Sequence, residues 1–493
     1  SMFNQRRLKF TFVSFLILLS LILVDIFQLQ TEEFDATSQT IDRQNLDKFY
    51  ITAPRGEIYD INGEKIVRTI LEPHLFINLR KITNQNLLNY KQIIQYNFSE
   101  LDNNEINEIF DSKEILSLVT NLSNVEYEVR NNLLMNYDAF EILDLPIRQY
   151  IQNELFAHTI GYLGKPNQDD TGEFINALRN NQVGKNGLER QYEDFLSGTS
   201  GEIIFEGSKI INFKQPIPGN DLFLSIDSLT QYVVRESLQQ GIELANKSFA
   251  SSSEIKRGAA VVLDIETGNV VSMVSLPDYD PNKFITGISD FEYKQLDREQ
   301  AFNNFAIQGL YPPGSVFKVV AYWLAISENI FPEELNNKDS NIDCEGSLSF
   351  GFDDGSQQVY NDWKLEGHGK VDLGEAIRQS CNVYFWDIAL KIWRNFGNTE
   401  AESVLQDYSR ELGFSNKTNI DLPFEKVGII PDRELFEEWK ISRPGLIREE
   451  GWLGGDLMNL IIGQGAITTT PLQVANAYRT LLTGENISPA VNI

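Results

Sequence analysis

A serine and a lysine three residues apart stand in the stretch YPPGSVFKVV, residues 311–320. A serine hydroxyl is a weak nucleophile until a base accepts its proton, and residues three apart share one face of a helix. The prolines and Gly314 predict a tight turn that leaves Ser315 at a helix N-terminus, where N–H groups favour developing negative charge. The following run is apolar nearly all round, so we expect Lys318 to be buried with a lowered pKa, as a general base requires.

The Ser-x-x-Lys spacing alone has low specificity. It occurs again at Ser253 and Lys256, in the polar stretch SSSEIKRG, where nothing would activate the serine. A serine that opens a helix is also more commonly a cap than a nucleophile. The surroundings of Ser315, and not the spacing, therefore favour the catalytic interpretation.

A second candidate element is RQSCNVYFW, which contains Ser380 and Asn382. It lies between a helix-like stretch, residues 373–379, and an apolar helix predicted over residues 383–393. A loop here could offer a hydroxyl to relay a proton and an amide to hold a substrate carbonyl. Helix capping is the alternative role, and Ser-x-Asn recurs at Ser327, so this pattern decides nothing alone.

The elements that must position these residues indicate an α+β fold. A helix is predicted over residues 229–246, followed by two apolar strands in GAAVVLDIETGNVVSMVSL with a turn at residues 266–268. A further apolar helix is predicted over residues 315–327. Helices packed on an antiparallel sheet is the architecture we expect for this half of the chain.

The first half of the chain has a different pattern. Alternating apolar residues flank an Asn-Gly turn at residues 62–63, which predicts a hairpin. Residues 80–145 show helical spacing, for example in NNEINEIFDSKEILSLVTNL, and strand-like segments return in AHTIGYLG and GEIIFEG.

Composition excludes one broad class of function. The 493 residues carry 70 acidic against 42 basic side chains, a formal net charge of -28, whereas nucleic-acid binding needs clustered Lys and Arg. We therefore expect no nucleic-acid partner.

Residues 10–30 are predicted to be a transmembrane anchor. The stretch FTFVSFLILLSLILVDIFQL is long enough to cross a bilayer, and Arg6, Arg7 and Lys9 precede it. The positive-inside rule then leaves residues 1–9 in the cytoplasm and the bulk of the chain outside the cytoplasmic membrane. A cleaved signal peptide is the alternative, but no A-x-A-like cleavage site follows the apolar run.

Taken together, these motifs resemble a known family. Ser315-x-x-Lys318 followed by Ser380-x-Asn382 is similar to the motif set of the penicillin-interacting serine enzymes. APRGEIYDINGE, GKNGLERQYEDFLSG, LFLSIDSLTQ, AAVVLDIETGNVVSMVSLPDYDPN and GQGAITTTPLQVANAY resemble segments of class B penicillin-binding proteins, in the same order. DWKLEGHGKVDLGEAIRQSCNVYFW resembles the elongation-type subfamily, penicillin-binding protein 2.

This resemblance implies a peptidoglycan D,D-transpeptidase. Ser315 would be acylated by a stem peptide ending in D-Ala-D-Ala, with Lys318 as general base, while Ser380 and Asn382 relay a proton and bind substrate. Acyl transfer of this kind requires no cofactor, and β-lactams would acylate the same serine. The implied partners are stem peptides, a SEDS-family membrane glycosyltransferase and other elongation-complex proteins.

The resemblance also implies a domain order. Residues 31–225 would form a pedestal of dimerisation type, with a helical head around residues 80–145, and residues 226–493 the penicillin-binding transpeptidase domain. The third family motif, K-T-G or K-S-G on a strand, is absent: Thr483 and Gly484 follow Leu482 in a stretch that predicts a helix end. We therefore expect the transpeptidase domain to be truncated before that motif.

Four residues near the second motif could bind a metal. Cys344, Asp362, His368 and Cys381 offer thiolate, imidazole and carboxylate, the ligand types of tetrahedral Zn²⁺, although their spacing is not that of a zinc finger. Some penicillin-binding protein 2 members hold a structural zinc here, and Asp362, His368 and Cys381 resemble its ligands, with Cys344 as the candidate for the fourth. A Cys344–Cys381 disulfide or two free thiols are the alternatives.

Two other functions stay open from the sequence. A β-lactam-sensing receptor would need further membrane spans and an intracellular effector, whereas only one span and about nine cytoplasmic residues are predicted here. A non-catalytic activator or scaffold of a membrane glycosyltransferase would act through residues 31–225, and this role is compatible with catalysis.

Overall fold

The computed structural model describes residues 46–174, 176–248, 253–332, 337–351 and 357–493. The predicted cytoplasmic tail and anchor, residues 1–30, lie outside these residues. Among the described helices, none combines the length and the apolar character that a membrane span requires.

Sixteen strands are present in the described residues. In chain order they are β1 Leu46–Ile51, β2 Ile58–Tyr59, β3 Lys65–Asn78, β4 Leu116–Asn121, β5 Phe140–Tyr150, β6 Leu163–Gly164, β7 Val183–Gly184, β8 Gly201–Glu206, β9 Lys209–Lys214, β10 Leu222–Phe223, β11 Gly258–Leu263, β12 Val270–Leu276, β13 Ile342–Cys344, β14 Ser347–Gly351, β15 Gln357–Asn361 and β16 Gly369–Val371.

Nineteen α-helices are present in the same part of the chain. They are α1 Leu87–Asn97, α2 Asn103–Asp111, α3 Tyr127–Asn136, α4 Ala157–Ile160, α5 Gln168–Glu173, α6 Ala177–Asn180, α7 Gly187–Gln191, α8 Glu193–Leu196, α9 Ser228–Ser248, α10 Asn282–Thr286, α11 Asp290–Arg298, α12 Phe305–Gln308, α13 Lys318–Ser327, α14 Leu373–Arg378, α15 Asn382–Phe396, α16 Val404–Glu411, α17 Arg433–Ser442, α18 Gly454–Ile461 and α19 Pro471–Thr483. Short 3₁₀ helices cover Leu79–Lys81, Asn153–Phe156, Gly314–Phe317 and Glu400–Ser403.

The chain divides into two compact units that interleave along the sequence. The described residues of the first unit are 46–54, 71–147 and 198–218, and those of the second are 55–70, 148–197 and 219–493, apart from the gaps given above.

The first unit contains an antiparallel sheet, β1-β8-β9. It also contains a layer of helices that packs on β4 and on residues 74–78 of β3, which pair with β4. Apolar residues of α1, α2 and α3 meet those strands in one core, which includes Ile94, Ile106 and Leu133. Residues 80–145 therefore hold three helices, as their spacing predicts. The stretch Leu116–Asn121 is instead a strand, because it pairs with β3. The spacing of apolar residues within the stretch gives no information about this distant partner.

The second unit begins with the predicted hairpin around the Asn-Gly turn. Asp60 accepts the backbone N–H groups of Asn62 and Glu64, and Gly63 adopts φ +78°, which a side chain would disfavour. The segment AHTIGYLG, expected to be strand-like, forms the short helix α4 before β6.

A fully buried ion cluster holds this part of the second unit together. The carboxylate of Glu189 lies 2.9 Å from the guanidinium of Arg55 and 2.7 Å from that of Arg148. The carboxylate of Glu193 lies 2.9 Å from the guanidinium of Arg55. Two positive and two negative side chains compensate one another there, which is the condition under which buried charges persist. Coulombic attraction to both arginines lowers the pKa of Glu189 against the effect of its burial.

The predicted hairpin of β11 and β12 forms as expected, and α9 packs against it. Gln231 of α9 joins the two elements, because its side chain donates to the carbonyl of Met273 and accepts from the Met273 N–H and from Ser272. Buried side-chain amides with all bonds made fix one orientation of a helix on a sheet.

The helices that position the candidate site share one apolar core. Phe317 and Val320 at the start of α13, Tyr384 and Phe385 in α15, and Leu457 in α18 are all buried in it. The predicted apolar helices at residues 315–327 and 383–393 are thus confirmed, with the first turn of the former in 3₁₀ geometry.

Candidate active site

Ser315 lies at the exposed start of a helix whose next turn is buried. The turn before it contains Gly314 at φ +64°, and the 3₁₀ segment Gly314–Phe317 leads directly into α13. Ser315 is exposed, whereas Phe317 and Lys318 are buried. Among the described residues, none forms a hydrogen bond with the Ser315 hydroxyl, and Ser315 is exposed to solvent at the helix N-terminus.

Lys318 is buried against the second motif. Its side chain is 0% exposed, and its ammonium donates to the carbonyl of Ser380 at 2.8 Å, to the Ser380 hydroxyl at 3.0 Å and to Asn382 Oδ1 at 2.6 Å. These three acceptors match the three donors of an ammonium group. Burial lowers the pKa of Lys318 from 10.5 to about 8, although the carboxylate of Asp362 and the thiol of Cys381 act in the opposite direction.

Ser380 is held in a backbone conformation that is uncommon for a serine. Its φ of +56° lies in the left-handed region, between the end of α14 and the start of α15. The N–H of Cys381 donates to Ala376 at 2.9 Å, and the indole N–H of Trp363 donates to the Ser380 carbonyl at 3.1 Å. Such strain costs ~1–3 kcal/mol and persists only where the surroundings impose it.

Asp362 fixes the N-terminus of α15 from outside the helix. Cys381, at the cap position, makes no side-chain cap bond, and Asp362 Oδ2 instead accepts the N–H of Asn382 at 2.7 Å and of Val383 at 3.3 Å. A carboxylate at this end also complements the helix dipole. From the sequence, Asp362 was a candidate metal ligand only, and Trp363 had no predicted role. The contact of Asp362 with α15 and that of Trp363 with Ser380 do not follow from local residue spacing.

The remaining motif matches lie in other environments. Lys256 is 64% exposed beside Glu254, as expected for the solvated Ser253–Lys256 pair. Ser327 is the last residue of α13. Thr483 ends α19 and Gly484 caps it at φ +75°, so this Thr-Gly pair is a helix C-terminus, as predicted.

The four predicted metal ligands converge on one point. Their donor atoms all lie within 4.8 Å of one another. Cys344 Sγ is 3.3 Å from Cys381 Sγ and 3.5 Å from His368 Nδ1, which in turn is 4.0 Å from Asp362 Oδ2. Tetrahedral zinc with its usual bond lengths places donor atoms about 3.3 to 3.8 Å apart. This donor set fits that ion in number and type, and two of the three distances above lie in this range.

Both cysteines are free thiols in this structure. Burial raises the pKa of Cys381 to about 12, which would keep the thiol protonated without a bound cation. A bound divalent cation reverses this preference, because it coordinates the thiolate.

The arrangement of Ser315, Lys318, Ser380 and Asn382 suits acyl transfer. An exposed hydroxyl stands one helical turn before a buried amine, and that amine contacts both a second hydroxyl and an amide. Since Asn382 Oδ1 accepts from Lys318, its NH₂ group is left to donate to a substrate carbonyl. Lys318 thus contacts both polar residues of the second motif, and the exposed Ser315 lies one helical turn before it.

Comparison with known proteins identifies the family. A model described as the penicillin-binding protein transpeptidase domain matches residues 258–491, and one described as the penicillin-binding protein dimerisation domain matches residues 50–224. The peptidoglycan D,D-transpeptidase MrdA of Haemophilus influenzae is 31% identical over 503 residues, which cover 98% of this chain and 71% of the relative. The chain belongs to the peptidoglycan D,D-transpeptidases. The predicted family is thereby confirmed.

Two further comparisons agree with this D,D-transpeptidase family. MrdA of Acinetobacter baumannii is 30% identical over 469 residues, which cover 91% of this chain and 63% of the relative. A solved complex of penicillin-binding protein 2 with MreC from Helicobacter pylori superposes with a TM-score of 0.72 at 28% identity, over 92% of this chain and 79% of that one. The chain therefore spans about two thirds of the length of the MrdA relatives.

Proposed function

We propose that this protein is a serine D,D-transpeptidase that cross-links peptidoglycan stem peptides through an acyl-enzyme on Ser315. The observation that carries the proposal is the burial of Lys318 against Ser380 and Asn382, with the exposed Ser315 hydroxyl one turn before it. The proposed chemistry uses groups of the chain itself and no cofactor.

In the acylation half-reaction, neutral Lys318 accepts the proton of Ser315 as Oγ attacks the carbonyl carbon of the penultimate D-Ala. The C–O bond forms, the oxyanion develops at the N-terminus of the helix, and the amide of Asn382 holds a carbonyl of the stem peptide. The C–N bond then breaks, and the departing D-Ala amine takes a proton from Lys318, directly or through the Ser380 hydroxyl.

The second half-reaction reverses these proton movements. An amine of a neighbouring stem attacks the ester, gives its proton to Lys318, and forms the cross-linking amide as Ser315 Oγ leaves and recovers a proton. A β-lactam would enter at the first step, because its strained amide presents the same carbonyl, and would remain as an ester on Ser315.

The test uses the protein at its full natural length with a synthetic stem peptide ending in D-Ala-D-Ala and an amine acceptor. Free D-Ala and the cross-linked product should appear with wild type and not with Ser315→Ala. Ser253→Ala, in the other Ser-x-x-Lys pair, is the matched control and should retain activity. Product formation by Ser315→Ala, or none by the wild type, would contradict the proposal.

We also propose that Cys344, Asp362, His368 and Cys381 hold one structural zinc ion. The support is the donor set of two sulfurs, one nitrogen and one oxygen, whose atoms all lie within 4.8 Å of one another. Four protein ligands would leave no open position, so the ion would have a structural role. Through Cys381 and Asp362 it would fix the backbone that carries Ser380 and Asn382.

Elemental analysis of the purified protein tests the zinc proposal, with about one zinc per chain expected. Cys344→Ala should lose the metal, whereas Asp343→Ala, the exposed neighbour in β13, should retain it. A metal-free protein with a Cys344–Cys381 disulfide, shown by peptide mass spectrometry, would refute the assignment.

We further propose that the protein acts in cell elongation at the outer face of the cytoplasmic membrane. The support is its similarity to MrdA proteins and to the penicillin-binding protein 2 that was solved with MreC. Residues 10–30 would be the anchor, and an MreC-like protein and a SEDS-family glycosyltransferase the partners.

Two experiments address this cellular proposal. A reporter that is active only outside the cytoplasm, fused after residue 35, should be active, and activity of a cytoplasm-only reporter would overturn the orientation. Affinity purification from native membranes should recover the glycosyltransferase with the protein, and its absence under mild detergent would count against the complex.

A further inference from the structure

The turn that carries Ser315 is hydrogen-bonded to a distant segment of the chain, residues 462–470 between α18 and α19. The N–H of Gly314 donates to the carbonyl of Gly463 at 2.8 Å. Tyr311 and Thr469 exchange two backbone hydrogen bonds, each 2.9 Å long. Both ends of the turn are thus hydrogen-bonded to this one segment, which the proposed mechanism does not use.

Gly463 and Gly314 approach too closely for a side chain to fit between them. A Cβ at Gly463 would lie 2.1 Å from the carbonyl oxygen of Gly314 and 2.8 Å from its nitrogen and carbonyl carbon. An ordinary van der Waals contact of a Cβ is 3.4–4 Å long, so the 2.1 Å approach to the Gly314 oxygen is too short by more than 1 Å. The oxygen belongs to the peptide group that joins Gly314 to Ser315, so the same group carries the Ser315 N–H.

The segment around Gly463 cannot simply retreat. On its other side, Ile429 and Thr468 exchange backbone hydrogen bonds of 2.8 and 3.0 Å, and a Cβ at Gly428 would lie 2.2 Å from the Thr468 carbonyl oxygen. Close packing on both sides means that a displacement at Gly463 is transmitted to the turn.

A second contact reaches the same turn from α19. The hydroxyl of Tyr478 donates to the carbonyl of Val316, the residue after Ser315, at 2.8 Å. Gly463 and Tyr478 therefore restrain the backbone on both sides of Ser315. Lys318 is oriented by a different set of contacts, those to Ser380 and Asn382.

We propose that Gly463 and Tyr478 are positioning residues for the nucleophile: they set the place of Ser315 without touching substrate. The proposal rests on the proposed acyl transfer at Ser315. Displacement of a reacting group by 1 Å typically lowers a rate by about 10²-fold. Gly463→Ala should therefore slow acylation by about that factor, and Tyr478→Phe, which removes one hydrogen bond and almost no volume, by several-fold.

The experiment measures acylation of the full-length protein by a fluorescent penicillin over a range of concentrations and pH values. Saturation separates the acylation rate constant from the apparent dissociation constant of the reversible complex. The rate constant should fall in Gly463→Ala while the dissociation constant stays near the wild-type value. The pH midpoint should also be unchanged, because the contacts of Lys318 are intact.

Gly484→Ala is the matched control. Gly484 has nearly the same backbone conformation, φ +75° against +71° for Gly463, but a Cβ there meets no atom within 4 Å. Both alanines therefore carry the same left-handed strain, and only Gly463→Ala displaces the turn. Equal acylation rates for the two variants would overturn the proposal.

Two further outcomes are informative. If Gly463→Ala does not fold, Tyr478→Phe decides: a wild-type acylation rate in that variant overturns the proposal, and a several-fold fall at an unchanged melting temperature supports it. If the wild-type protein itself is not acylated on Ser315, the proposed function fails and this inference falls with it.

Discussion

The burial of Lys318 predicts how acylation depends on pH. The lysine is fully buried, and desolvation lowers its pKa from 10.5 to about 8. Since only the neutral amine can accept the proton of Ser315, the acylation rate should follow the fraction of neutral Lys318. The perturbation is therefore pH itself, applied to the wild type and to Lys318→Arg.

The pKa gives the size of the effect. At pH 7 about 9% of a lysine with a pKa of 8 is neutral, against ~0.03% of an unperturbed lysine. The acylation rate should rise about ninefold from pH 6 to 7, about fivefold from pH 7 to 8, and less than twofold from pH 8 to 9.

The assay is the initial rate of labelling of Ser315 by a fluorescent penicillin at limiting concentration, corrected for hydrolysis of the penicillin. Lys318→Arg should give no labelling at any of these pH values, because arginine does not release its proton. A wild-type rate that still rises about tenfold from pH 8 to 9 would show an unperturbed lysine. A flat profile between pH 6 and 9 would show that Lys318 is not the base.

Three further predictions concern stability. Between about pH 8 and 10.5 the unfolded chain binds a proton at Lys318 that the folded chain has lost. The free energy of unfolding of wild type, relative to that of Lys318→Met, should therefore rise with pH across this window by up to about 3 kcal/mol. Chemical denaturation of the two proteins in parallel measures this difference. Ser380→Gly should be more stable than Ser380→Ala by about 1 kcal/mol, because only alanine retains the strain of φ +56°. Both variants should be acylated slowly. Equal stabilities would show that the backbone is unstrained. Glu189→Gln should lower stability by about 3–5 kcal/mol, since it leaves Arg55 and Arg148 with less negative charge than the buried cluster needs, and a loss under 1 kcal/mol would contradict that account.

The features that sequence predicts best are local ones. Ser315 and Lys318 are one helical turn apart, so their proximity along the helix and the burial of Lys318 follow from the apolar run around them. The hairpin of β11 and β12 has its own turn at Asp264–Gly268, which forms from adjacent residues. In each case the interactions that form the element lie within a few residues of one another.

The features that sequence reasoning missed depend on contacts between distant residues. Leu116–Asn121 has helical spacing but forms a strand, because β3 offers it a partner about 40 residues earlier in the chain. Asp362 reaches the N-terminus of α15 from a loop 20 residues before Asn382. The spacing of apolar residues along the chain does not predict a contact of this kind. The close contact of Gly463 with Gly314 is another contact between distant residues that the sequence does not predict.

The measurement that tests the central claim most directly is the location of the penicillin adduct. The full-length protein is labelled at neutral pH, digested and mapped by mass spectrometry, with Ser315→Ala in parallel. One penicilloyl group on the peptide that contains Ser315, absent from the variant, is the expected result. A label on any other residue, or undiminished labelling of Ser315→Ala, would contradict the assignment of Ser315 as the nucleophile.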